Sequence, residues 1–360
     1  MTTPLSAPLD LGRGPQMANR LMLAPMTNWQ SNPDGTLHDD EYHWLTMRAQ
    51  GGFGLTMTCA AHVQKGGKAF DGQLGVCSDD HLPGLERLAK GIHAAGSVSS
   101  VQLHHGGERA DTAISGEDVV APWDDPEKGV RAQTTGEVEG TIEAFIAAAV
   151  RAEKAGFNGV EIHGAHSYLL CQYLYDDKNQ RTDRFGITYE NRTRIYWNII
   201  DGIRAETGDD FQLGLRLSPE RHGMKLAESR RFAQEVMTSG KIDYLDMSLW
   251  DCFKEPYEAD YAGRPLIDFF TELDRGSCKL GAAGKLMTAA DAQKCLDHGA
   301  DFALIGRGAM IHHDFARQAL ADARFESVAL PVSRDHFRAE GLSDKFIELT
   351  SKTWPSYVAD

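Results

Sequence analysis

The chain has few cysteines and none in a ligand-like pair. Cys59, Cys77, Cys171, Cys252, Cys278 and Cys295 are scattered over 360 residues with no C-x-x-C. That spacing lacks the usual zinc and iron–sulfur frameworks, so no metal site is expected and the thiols read as reduced and mostly buried. Positive charge is also scarce: 37 Lys and Arg stand against 52 Asp and Glu, a formal charge of -15. Such a balance disfavours nucleic acid and anionic membranes as partners, while leaving room for a basic pocket that takes a small anion. Long apolar runs are missing. Nothing approaches the ~20 residues that span a bilayer, and MTTPLSAPLDLGRG lacks the basic start and apolar stretch of a signal peptide. A soluble, cytoplasmic protein is expected. Low-complexity segments and internal repeats beyond the strand–helix unit are likewise absent.

What is present is a rhythm. Apolar runs of strand length recur eight times: RLMLAPM, LTMTCAAHV, SVQLHH, GVEIHG, LGLRL, YLDMSLW, KLGAAG and FALIGRG. Between them lie helical-period segments such as HLPGLERLAKGIHAAG and TIEAFIAAAVRAEKAG, several of which end in Gly as a helix terminus should. Eight strand–helix alternations with buried, Val/Ile/Leu-rich strands predict an α/β fold, a single (β/α)8 TIM barrel over residues 1–360. An open doubly wound sheet is disfavoured because no early G-x-G-x-x-G follows a strand. Residues 106–140 and 251–264 break the rhythm and read as long loops over the C-terminal face. From about residue 325 an extension is expected to pack on the barrel or on a neighbouring subunit, leaving both a monomer and a homo-oligomer open.

Barrel chemistry collects at the C-terminal strand ends. The first strand ends in Ala24, Pro25, Met26 and Thr27, the second includes Ala60, and the third carries Gln102 and His105. The fourth runs into His163, His166 and Tyr168; the fifth carries Arg216; the seventh and eighth end in Ala283, Gly284, Gly306 and Arg307. No carboxylate pair stands among these residues, which weakens glycosidase and metal-hydrolase readings. Glycines after the last two strands let main-chain amides approach an anion, and Arg307 adds a bidentate fork, so a phosphate site is expected there. Arg216, inside a strand, needs an anionic partner. A flavin pyrimidine edge supplies one; an internal ion pair with Glu161 or Asp246 is the alternative. In HGAHSY the two histidines stand three apart, on opposite faces in a strand but both inward in a turn leaving it. Two imidazoles can hold one substrate oxygen. As metal ligands they lack a third partner at helical spacing, and two structural histidines are the plainer alternative.

Taken together, LMLAPMT, VQLHHGG, HGAHSYLL, NQRTDRFG with the following ENR, and LIGRG resemble the Old Yellow Enzyme family of FMN-dependent ene-reductases. The blocks are widely separated, keep the family's order and cover nearly the whole chain. The resemblance implies that Ala24, Pro25, Met26, Thr27, Ala60, Gln102 and Arg216 line the FMN ring, while Ala283, Gly284, Gly306 and Arg307 hold its phosphate. It implies that His163 and His166 bind a carbonyl or nitro oxygen, that Tyr168 delivers a proton, and that Trp29, Trp250 and Phe253 shape the substrate cavity. NADH or NADPH would be the transient reductant, and small activated alkenes such as enones, enals, maleimides and nitroalkenes the acceptors.

The chain departs from the family's histidine-bearing bacterial branch at two places: Thr27 stands where Cys is usual and Trp29 where Tyr is common. Threonine keeps a hydrogen-bond donor without a thiol; tryptophan adds bulk and loses a hydroxyl. Other readings are a flavin-barrel amine N-demethylase, a dienoyl thioester reductase, a flavin-binding protein without turnover, and a phosphate-binding aldolase or isomerase. The last lacks a well-placed Schiff-base lysine or carboxylate base.

Overall fold

The eight apolar runs become the eight strands of a closed parallel barrel in the computed structural model, which describes residues 3–221 and 223–359. They are β1 (Leu21–Leu23), β2 (Leu55–His62), β3 (Val98–His104), β4 (Gly159–Gly164), β5 (Gln212–Leu217), β6 (Tyr244–Ser248), β7 (Lys279–Ala283) and β8 (Phe302–Ile305). The sheet closes where β8 pairs with β1, Leu21 opposite Ala303 and Leu23 opposite Ile305. Helices on the outside bury both faces, so β2, β3, β4 and β5 have no exposed residue.

Side chains alternate across each strand. Val101, Leu103, Val160, Ile162, Leu213 and Leu215 point outward into the apolar layer shared with helix residues such as Leu88, Phe145 and Ile199. The alternate set points into the barrel. Toward the strand N-termini it is apolar, with Met22, Leu55, Met57, Val98, Tyr244 and Phe302. Two glycines make room for the aromatic pair: a Cβ on Gly214 would overlap the Tyr244 ring, and one on Gly281 the Phe302 ring. Higher in the barrel the same inward parity carries Gln102, His104, Glu161, His163, Arg216, Asp246 and Ser248. The plug is apolar below and polar above.

The segment 106–140 is less of a loop than its composition suggests. It holds a short helix (Thr112–Ser115) and a two-stranded ribbon of Val119–Ala121 with Val130–Ala132. The helix read as beginning near residue 141 begins at Thr135, because Thr134 and Glu137 form a reciprocal capping box. Residues 251–264 remain irregular apart from one 3-10 turn, Ala259–Tyr261. Past residue 325 the chain folds back on its own barrel. Phe346 packs edge-on against Trp44 at 4.9 Å, and the fully buried Arg48 donates to the carbonyls of Ala309 and Glu340. Ser343 N–H reaches Gln30 Oε1 at 3.0 Å, tying this extension to the loop after β1.

The capping box predicts a pH-dependent contribution. Arg131, then the Thr134 cap, holds the Glu137 carboxyl down at about 2, below its ordinary 4.5. A depressed folded value means that the contribution is complete above about 4.5 and is lost as pH falls toward about 2. Thr134→Ala should cost ~1 kcal/mol in urea unfolding near neutrality. The stability gap between wild type and Glu137→Gln should shrink on acidification.

Candidate active site

The site is built on the turn that follows β4. His163 is the last inward residue of the strand, and the chain then reverses through two successive left-handed residues, His166 and Ser167, both with φ 61. Non-glycine residues in that region cost roughly 1–3 kcal/mol each and persist only where surroundings over-determine them. Here they do: His166 N–H donates to Ser218 Oγ at 3.0 Å, Gln172 Nε2 donates to Ser167 O at 2.7 Å, and the Tyr175 hydroxyl donates to Ser167 Oγ at 2.6 Å. The reversal brings the His163 and His166 rings to 5.0 Å, nearly perpendicular. Tyr168, the N-cap of the helix Leu169–Tyr173, sets its ring 5.2 Å from His163. Burial, then the nearby His166, pushes the His163 pKa well below its ordinary value. Since His163 Nδ1 accepts from Ala165 N–H at 3.3 Å, the proton of this neutral imidazole sits on Nε2.

Beneath the turn lies a buried polar layer. Arg216 Nε is 2.8 Å from Asp246 Oδ2, an ion pair whose atoms are not aligned as a hydrogen bond. Arg216 Nη2 also donates to Ser248 Oγ at 3.3 Å, and Ser248 in turn lies 2.7 Å from His166 Nε2. Gln102 Nε2 donates to Glu161 Oε1 at 2.7 Å. Burial, then the neighbouring Asp246, pushes the Glu161 carboxyl up. Burial also raises Asp246, and of the two carboxyls near this one guanidinium Glu161 is pushed further toward its protonated form. Arg216 therefore finds its counter-charge inside the protein, and a flavin edge is not needed to balance it.

The loop after β1 supplies another wall. Ala24 is buried, whereas Pro25, Met26 and Thr27 are half-buried. Trp29, at φ 56, is displayed between two buried anchors: Asn28, whose Nδ2 donates to Glu41 Oε1 at 3.1 Å, and Gln30. Ala60 follows a bulge in β2 and pairs in register with Gln102. At the far side, Ala283 ends β7 and Gly306 follows β8. Gly284 is a glycine for a steric reason: a Cβ there would meet backbone atoms of residues 250–252 at 2.8–2.9 Å. Arg307, half-buried beside Gly306, makes no ion pair or side-chain hydrogen bond among the described residues. A guanidinium with no carboxylate partner among the described residues, 5.8 Å over the Tyr357 ring and beside Gly306, which packs near Met26 and Ala24, suits a phosphorylated planar cofactor.

One aromatic assignment changes. Phe253 does not face the histidines; it packs against His298 at 5.5 Å and under Lys294 Nζ at 4.0 Å, both at the helix Ala289–Asp297. Its neighbour Cys252 is buried, and that anchors the start of the loop outward. Trp250 is 63% exposed with φ 64. His105, expected with Gln102, lies just past β3 and points out, accepting from Gly107 N–H at 3.1 Å. The residue that shares Gln102's face is His104, as period two requires, and its ring lies 4.3 Å from Tyr168 and 5.5 Å from His163. Arg109, also unanticipated, stacks 4.5 Å over the Tyr168 ring and donates to His166 O at 2.8 Å. Elsewhere, His62, Cys77 and His81 bring ligand-type atoms within 4.8 Å of one another. Both His81 nitrogens are already engaged, with Ser78 N–H and Asp34 O, so hydrogen bonds hold that cluster.

Comparison with known proteins agrees with this architecture. The NADH:flavin oxidoreductase / NADH oxidase family matches residues 4–325. The chain is 35% identical over 319 residues to the probable NADH-dependent flavin oxidoreductase YqiG of Bacillus subtilis (strain 168), covering 86% of this chain and 85% of that one. It is 32% identical to the NADH:fumarate oxidoreductase of Klebsiella pneumoniae (strain 342) over 89% of this chain, which corresponds to 36% of that longer protein. The solved structure of morphinone reductase in complex with tetrahydroNAD superposes with a TM-score of 0.78 at 26% identity, covering 95% of this chain and 97% of that one. No helix among the described residues is long and apolar enough to cross a membrane. The chain belongs to the NADH:flavin oxidoreductase / NADH oxidase family, the Old Yellow Enzyme family, and is an FMN-dependent oxidoreductase that draws on a nicotinamide reductant.

Proposed function

We propose that this enzyme reduces the carbon–carbon double bond of α,β-unsaturated aldehydes, ketones, imides or nitroalkenes, with His163, His166 and Tyr168 as its catalytic residues. The observation that carries the reading is the convergence of those three rings, His166 at 5.0 Å and Tyr168 at 5.2 Å from His163, at the C-terminal end of a flavin-family barrel. In this reading Ala24, Pro25, Met26, Thr27, Ala60, Gln102 and Arg216 line the FMN ring, and Ala283, Gly284, Gly306 and Arg307 hold its phosphate. Bound FMN supplies hydride acceptance from NAD(P)H and hydride donation to the alkene.

The protein does the rest. His163 offers Nε2–H, and with His166 it holds the electron-withdrawing oxygen, on which negative charge grows as the double bond accepts hydride. Tyr168 carries a phenol O–H, a group that can act as general acid at Cα. Trp29 and the exposed Trp250 border the cavity and set its shape. Arg216 keeps a positive charge at the ring edge, and its pairing with Asp246 holds it in place rather than neutralising the donors it retains.

Anaerobic NAD(P)H should bleach the flavin absorbance, and an enone should restore it; bleaching without enone-driven recovery would sink the assignment. Tyr168→Phe should leave FMN bound and reducible while slowing enone turnover. His163→Ala should lower enone turnover about 10²- to 10³-fold, the usual loss for one donor to a developing oxyanion. Arg307→Ala should weaken FMN binding by roughly tenfold or more in a flavin fluorescence titration, since it removes a charge-assisted phosphate contact.

A further inference from the structure

Behind Tyr168 stands a third imidazole whose proton the protein has placed. Gln73 is fully buried, and the backbone fixes which way its amide faces: Oε1 accepts from Ala69 N–H at 2.8 Å and Nε2 donates to Ala60 O at 2.8 Å. Its remaining N–H is directed at His104 Nδ1, 3.0 Å away. Nδ1 must therefore accept, and the imidazole carries its proton on Nε2. Burial, then His105, keeps the His104 pKa well below its ordinary value, so the ring is neutral. That Nε2–H is itself buried and has no protein acceptor among the described residues. The nearest of its ring neighbours is Tyr168, perpendicular at 4.3 Å, a spacing that suits an imidazole edge on the phenol face.

We propose that His104 is a positioning residue for Tyr168: locked by Gln73 as an Nε2–H donor, it steadies the phenol ring and favours the charge left when the phenol gives up its proton. The inference rests on Tyr168 being the proton donor. In that step the phenol O–H bond breaks and a C–H bond forms at the substrate's α carbon. The electron pair stays on the phenol oxygen until solvent returns a proton. An N–H dipole on an aromatic face attracts a phenolate more than a phenol, and so does the Arg109 guanidinium 4.5 Å over the same ring. Contacts that strengthen during the step speed it; contacts equal in both states do not.

The test uses the full-length, FMN-loaded enzyme with cyclohexenone as probe and follows each half-reaction separately. His104→Phe keeps an aromatic ring without the N–H. It should slow flavin reoxidation by the enone about three- to tenfold more than flavin reduction by NAD(P)H, the scale of one weak donor lost in the transition state. The solvent deuterium isotope effect on reoxidation should rise, and in a Tyr168→Phe background the same substitution should add nothing. Equal slowing of both half-reactions, or an unchanged isotope effect, overturns the proposal. Nitrogen NMR of wild-type protein labelled at histidine reads the lock directly: a neutral Nε2–H His104 is expected across the neutral range, and an Nδ1–H or charged ring overturns it. If Tyr168→Phe itself leaves enone turnover intact, the functional reading fails first; if only His104→Phe is silent, this inference alone fails.

Discussion

The buried Arg216–Asp246 ion pair is the constraint around which the upper barrel is arranged. Removing two charges from water is costly, and the pair survives only where the surrounding polar atoms are also placed. A second carboxyl, Glu161, lies in the same layer; burial and Asp246 push it toward its protonated form, and it accepts from the amide of Gln102. Ser248 links the guanidinium to His166, which couples the layer to the turn above. An arginine is thereby fixed, almost fully buried, toward the open end of the barrel. Such a preorganised charge is what a cofactor that gains negative charge on reduction requires.

The turn above holds two strained residues at the proposed site. His166 and Ser167 both occupy the left-handed region. Their conformation is held by Ser218, just past β5, and by Gln172 and Tyr175, in and just after the helix Leu169–Tyr173. Tyr168 then begins a helix, so its backbone is set by a structural element rather than by a free loop. Arg109, arriving from the segment after β3, ties its guanidinium to the His166 carbonyl and covers the phenol ring. His163, His166 and Tyr168, the proposed donors and acid, are therefore held by contacts within the protein itself.

Much of this was legible in the order of residues. All eight strands fell where the apolar runs predicted, because strands buried on both faces need continuous apolar sequence whatever their neighbours. Period-two alternation and the strand-end rule together selected Gln102, His163, Arg216 and Arg307. The same alternation, applied one residue more strictly, would have chosen His104 over His105. The helix start at Thr135 was also written locally, in the T-x-x-E of Thr134 and Glu137, but the polar residues around it resembled a loop.

What sequence alone determined is the barrel and the polar residues that gather at the C-terminal ends of its strands, where the site is proposed. These follow from short-range periodicity and from the chirality of strand–helix units. Tertiary structure decided partnership: Asp246 rather than a ligand balances Arg216, Gln73 chooses the tautomer of His104, and Phe253 turns to a helix instead of the cavity. Each depends on atoms brought together from distant segments, within ion-pair, hydrogen-bond or ring-packing reach. Local pattern cannot encode such distances; closure of the barrel sets them.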